Sequence, residues 1–158
     1  MNDTKMLIII DSREPVHTRY SFANYTTEIK KLATGDYSIK GYEDIICVER
    51  KTKGDAYKSF GHTKNRKRFI KELERMQTFK RACVVIETTF KDFCTPPDYV
   101  EKISGKAMVN SIISWYSKYN IPFFFPGGRN LSNLFVVRLF EKFWKHKEGF
   151  VLDTKIET

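Results

Sequence analysis

Gly35-Asp36-Tyr37, then Asp44-Ile45-Ile46-Cys47-Val48-Glu49-Arg50-Lys51, then Asp55: within this stretch an apolar run ends abruptly in ionised side chains. The run from Ile45 to Val48 reads as a buried β-strand, and charges beside a core cost several kcal/mol each unless they are paired. Strand alternation places Glu49 and Lys51 on one face and turns Arg50 to the other. Gly41 marks a turn, so strands over 36–40 and 44–51 form a hairpin that delivers Asp36 next to Glu49.

Phosphodiester hydrolysis asks for that chemistry. A divalent cation neutralises charge and activates water, and a positive group stabilises the transition state. Magnesium needs only one or two carboxylates, its other positions being filled by water and phosphate. Asp36 and Glu49 are candidate ligands for Mg2+ (or Mn2+), and Lys51 is the candidate to orient or deprotonate the attacking water. Asp-x(12)-Glu-x-Lys is the spacing of restriction-endonuclease-like nucleases. The same spacing also suits a solvated strand end carrying a surface ion pair.

Outward from this centre, Met6–Ile10 is a short apolar strand running into Asp11-Ser12-Arg13-Glu14-Pro15. A short helix is expected over 25–33 and another over 54–60. Residues 64–80 form an amphipathic helix, with Phe69, Leu73, Met76 and Phe79 in phase. A buried strand follows over 82–87, a helix over 104–119, a strand over 121–125 and a last helix over 131–146. The tail from Gly149 is either an added strand or disordered. A hairpin followed by strand–helix–strand–helix alternation predicts an α/β fold, a central mixed sheet flanked by helices with its later strands parallel.

With 158 residues, 41% of them hydrophobic, the chain is expected to form one domain over 1–158, its core about 6–147. The 28 Lys+Arg against 19 Asp+Glu leave a net charge of +9, which favours a polyanionic partner. Cys47, Cys83 and Cys94 suit neither a disulfide framework nor a zinc site, so reduced thiols and an intracellular setting are expected. No stretch has the length of a membrane span or the form of a signal peptide.

Gly35-Asp36-Tyr37 with Glu49-Arg50-Lys51-x-x-x-Asp55 resembles the signature of the XPF-type (xeroderma pigmentosum group F-like) structure-specific endonucleases. Asp11-Ser12-Arg13-Glu14, Leu32, Asn65-Arg66, Val84–Glu87 and Ile121-Pro122-Phe123 fall in the family's order, so the resemblance spans roughly 6–145. It implies a three-layer restriction-endonuclease-like fold, with Asp36, Glu49 and Asp55 in a metal-binding acidic cluster and Lys51 catalytic. Arg50 would contact phosphate or brace the cluster, and Asp11, Arg13 and Glu14 would lie near the site. The implied substrate is branched or flapped DNA, cut in repair or recombination. The runner-up readings are a non-catalytic DNA-binding partner subunit, or a Holliday-junction or restriction-type nuclease using the same site.

Lys64, Arg66, Lys67 and Arg68 are candidate DNA contacts on the basic helix, with Arg66 at the border of its buried face. The last helix carries Leu131, Leu134, Phe135, Val136, Val137, Leu139, Phe140, Phe143 and Trp144, a wider apolar face than one sheet needs. A homodimer through the C-terminal helices is therefore expected, and the resemblance implies the same. Neither a helicase segment nor a tandem helix–hairpin–helix module is expected here, which leaves the choice of DNA open.

Overall fold

A computed structural model describes residues 5–152. Six strands form one mixed sheet in the order β2-β1-β3-β4-β5-β6. They are β1 (Leu7–Asp11), β2 (Thr26–Lys30), β3 (Tyr37–Ile39), β4 (Ile46–Lys51), β5 (Arg81–Ile86) and β6 (Phe123–Phe124). β3 is antiparallel to both of its neighbours, while β1 and β2, β4 and β5, and β5 and β6 pair in parallel.

β4 explains why helices cover both faces, since Ile46, Cys47 and Val48 are all buried. Cys47 joins a core shared with α1 (Lys53–Gly61), α2 (Thr63–Met76), α3 (Phe90–Phe93) and α4 (Gly105–Tyr119). Ile46 and Val48 point the other way, into a core closed by Val136, Phe140 and Phe143 of α5 (Arg129–Lys145). A last short helix, α6, spans Glu148–Leu152. The result is the expected three-layer α/β arrangement. Both Cys47 and Cys83 are buried free thiols, and Cys94 is an exposed one.

The hairpin, the strands at β5 and β6 and the four longer helices fall where the sequence predicts them, within a few residues. Residues 25–33 do not: Thr26–Lys30 is the strand β2, paired in parallel along all of β1. β-branched Thr26, Thr27 and Ile29 suit an extended chain, and pairing satisfies the β1 edge, whose peptide groups would otherwise lack partners. The tail reading is corrected as far as Leu152, which belongs to a helix; residues 153–158 lie outside the described part.

Candidate active site

Gly35 decides how close the hairpin can come. Its φ is +85°, and a Cβ there would sit 2.8 Å from the Cys47 Cβ and 3.3 Å from the Val48 carbonyl oxygen. Only glycine tolerates both the left-handed backbone and that approach. The next residue is thereby pressed onto β4. The Asp36 N–H donates to the Val48 carbonyl (2.8 Å), and Asp36 Oδ2 accepts the Arg50 N–H (2.8 Å). On the other side the Asp11 N–H donates to the Asp36 carbonyl at 2.8 Å, tying the end of β1 to the same point.

Glu49 and Lys51 share the face that looks toward α1 and α2, as alternation requires. Lys51 Nζ lies 3.7 Å from Glu49 Oε1, donates to Ser59 Oγ (3.2 Å), and stands 5.1 Å from the centre of the Phe69 ring. Both side chains are nearly buried. Asp36 and Glu49 thus lie close enough for their charges to act on one another, and the Lys51 ammonium acts on both. Burial pushes the Asp36 carboxyl up to about 7, helped by the charges of Glu14 and Glu72 and opposed by the Arg50 N–H and Lys51. Burial, then repulsion from Asp36 and Glu72, holds Glu49 well above the usual carboxylate range, and contact with the Glu72 carboxyl adds to it. Two carboxylates that resist ionising together are short of positive charge. Their hard oxygens suit a magnesium- or manganese-like ion, which needs no more protein ligands than these.

Arg50 projects to the opposite face and is spent on the protein itself. Nε donates to Glu14 Oε2 (2.9 Å), Nη1 to Glu87 Oε1 (2.8 Å) and Nη2 to Thr18 Oγ1 (3.0 Å). Tyr37 donates its hydroxyl to Glu14, and Tyr20 donates its own to Glu87. Burial works against the guanidinium charge, but the bonds to Glu87 and Glu14 outweigh it. Of the two roles open to Arg50, the geometry suits the brace rather than the phosphate contact. Glu14 and Glu87 are its counterions.

Asp55 is not brought into the carboxylate pair. It lies exposed in the first turn of α1, where its N–H donates to the Thr52 capping hydroxyl. Among the described residues no three acidic, His or Cys side chains converge on one metal-sized point. The third acid that acts on Asp36 and Glu49 is Glu72 of α2, which the sequence reading passed over. A signal was there: Glu72 falls at the spacing of the buried stripe of Phe69, Leu73 and Met76, where an acid is out of place. Ser59, which anchors Lys51, had no comparable signal, because a serine on a short helix is unremarkable until the fold closes.

Lys64, Lys67 and Arg68 are exposed along α2, and none pairs with a carboxylate among the described residues. Arg66 is different. Its Nη1 donates to the Phe60 carbonyl (2.9 Å) and to Ser111 Oγ (2.8 Å), and its guanidinium stacks 4.6 Å from the Trp115 ring centre. Those bonds tie α2 to α1 and α4 and take Arg66 away from the basic surface.

The sequence profile of the ERCC4 domain matches residues 10–139. The chain belongs to the ERCC4 domain family. Solved structures agree on the fold. XPF from Aeropyrum pernix superposes with a TM-score of 0.64 at 20% identity, over 84% of this chain and 59% of that one. The same protein in a complex with DNA gives 0.61 at 21% identity, over 87% and 66%. This ERCC4 domain therefore spans about three-fifths to two-thirds of those chains. No curated protein sequence matches it.

The raised carboxyl of Asp36 has a thermodynamic consequence. A carboxyl whose folded value, about 7, exceeds its unfolded one, near 4, binds its proton more tightly when folded. The stability this lends is complete below pH about 4 and is lost as pH rises to about 7, on the order of a few kcal/mol. Metal-free ERCC4 domain is expected to melt at lower temperature at pH 8 than at pH 5.5, and Asp36→Asn to flatten that slope. Magnesium or manganese should restore the melting temperature at pH 8. Identical pH slopes for wild type and Asp36→Asn in thermal denaturation would remove the basis for a strained carboxylate pair.

Proposed function

We propose that this ERCC4 domain is a metal-dependent, structure-specific DNA endonuclease acting on branched, flap or fork DNA. The observation that carries the proposal is the meeting of Asp36, Glu49 and Lys51 at one end of the sheet, with the two acids short of positive charge. A divalent ion held by Asp36 and Glu49 would supply charge neutralisation and a water of lowered pKa. The chain's own part is to hold both carboxylates in register, Asp36 through the Arg50 N–H and Glu49 through β4. Lys51, steadied by Ser59 and Phe69, offers its ammonium to the negative charge that builds on the phosphate.

Cleavage of a panel of flap, fork, junction and linear substrates, with magnesium or manganese and with chelator, tests the reading. Expected is cutting of a branched substrate that stops on chelation. Full activity in chelator would remove the metal from the mechanism, and binding of every substrate without cutting would favour the non-catalytic partner. Cutting of junctions or linear DNA instead would select the resolvase or restriction reading.

Lys64, Lys67 and Arg68 are proposed to meet DNA phosphates. Lys67→Gln/Arg68→Gln should weaken binding and lower the slope of log affinity against log salt by about 1–2. An unchanged slope in fluorescence anisotropy would make them a solvated helix face only.

The homodimer belongs here as well. α5 spends Val136, Phe140 and Phe143 on its own core, yet Leu131 and Leu134 stay 57% and 51% exposed. Burial against a second copy would remove that surface from water, and light scattering showing a strict monomer at micromolar concentration would end the idea. The three free thiols support an intracellular setting.

A further inference from the structure

Phosphates on a duplex that passes over Asp36 and Glu49 must meet positive charge on both sides of the carboxylates. On one side stands α2. On the other, the strand directions bring the ends of β1 and β2 together, because the two run in parallel and β1 is antiparallel to β3. Arg13 follows β1, while Lys30 closes β2 and Lys31 follows it.

Arg13 is held in an uncommon way for a surface cation. Its Nε donates to Asp11 Oδ2 (2.9 Å), and Nη2 donates to Asp11 Oδ1 (3.3 Å) and to the Leu32 carbonyl (2.8 Å). The Asp11 side chain is 2% exposed and also accepts the Leu32 N–H at 2.8 Å, so the anchor is rigid. The Arg13 side chain is nonetheless 60% exposed, and its Nη1 makes no hydrogen bond or ion pair among the described residues. Fixing one edge of an arginine to a buried carboxylate leaves its other edge pre-organised for a second anion, at little further entropy cost. The Asp11–Asp36 backbone bond sets this residue immediately beside the carboxylate pair, and the Asp36 and Glu72 charges are felt at Arg13. Lys30 and Lys31 extend the positive edge. Both are exposed, and neither pairs with a carboxylate among the described residues.

We propose that Arg13, Lys30 and Lys31 form a second phosphate track on the β1–β2 side of the carboxylates, with Arg13 gripping a phosphate beside the reacting one. The track rests on the nuclease reading and adds to it. It gives DNA contacts on both sides of the cleavage point, where the exposed cations of α2 give only one.

The test uses Glu49→Gln protein, so that DNA is bound and not cut, and follows fluorescence anisotropy of a labelled flap substrate across a potassium chloride series. Arg13→Gln is expected to weaken binding about five- to tenfold and to lower the salt slope by about 1. Arg13→Lys should recover the slope, because the charge returns. Lys30→Gln/Lys31→Gln, at exposed positions, should lower the slope by a further 1–2 without moving the melting temperature. Unchanged affinity and slope in both the Arg13→Gln and the Lys30→Gln/Lys31→Gln protein would overturn the track while leaving the nuclease reading intact. If Arg13→Gln melts early, the paired lysine variant and Arg13→Lys decide. Failure of the Glu49→Gln protein itself to bind DNA would overturn the nuclease reading first, and the track with it.

Discussion

Glu49→Gln and Lys51→Ala should each reduce cleavage at least about 10²–10³-fold, the loss typical when one pre-organised electrostatic group is removed from a transition state. Glu49→Gln keeps the shape of the side chain and removes its charge, so its effect reports on cation binding rather than on packing. Lys51→Ala removes the ammonium that Ser59 and Phe69 steady and leaves Glu49 without its nearest positive neighbour. DNA affinity should change little in either, because the exposed cations of α2 are untouched. Single-turnover cleavage with saturating enzyme separates the two effects. Rates within tenfold of wild type for both variants would mean that these residues do not carry the chemistry.

The second large effect is on stability. Arg50→Ala leaves Glu14 and Glu87 buried without their cation, and breaking a buried pair from one side costs about 3–5 kcal/mol. The loss should appear as a lower midpoint in urea denaturation at unchanged slope. A combined replacement that also neutralises the acids, Arg50→Met with Glu14→Gln and Glu87→Gln, should recover part of it, because no uncompensated charge then remains. A cost under about 1 kcal/mol for Arg50→Ala would show that the network is wetter and weaker than its geometry implies. Activity adds a further distinction. In the combined variant the strand end loses its brace while the backbone bond from residue 50 to Asp36 persists. Cleavage that returns along with stability would locate the whole role of Arg50 in holding β4.

Much of this was legible along the chain. Alternation in Val48-Glu49-Arg50-Lys51 separates the site face from the brace face correctly, because a strand has only two sides. Gly35, in the sequence no more than part of the motif, turns out to permit the close approach that presses Asp36 onto β4. The helix expected over 25–33 failed for a physical reason. Thr26, Thr27 and Ile29 favour an extended chain, but the pairing that makes Thr26–Lys30 a strand comes from β1, a partner about twenty residues away in sequence. Asp55 and Arg66 also take their places from the fold: the first is exposed in the first turn of α1, and a carbonyl, a hydroxyl and an indole ring hold the second.

By itself, then, the sequence determined the family and the layered α/β architecture, and it offered Asp36, Glu49 and Lys51 as the candidate trio, because these rest on periodicity, on the order of motifs and on spacing within one hairpin. Only the tertiary structure decided which distant groups complete the site. Glu72 beside Glu49, Ser59 under Lys51, Glu14 and Glu87 around Arg50, and Asp11 behind Arg13 are joined by packing across elements. Those contacts are set by which faces the sheet and helices bury against one another, and no spacing along a single chain encodes them.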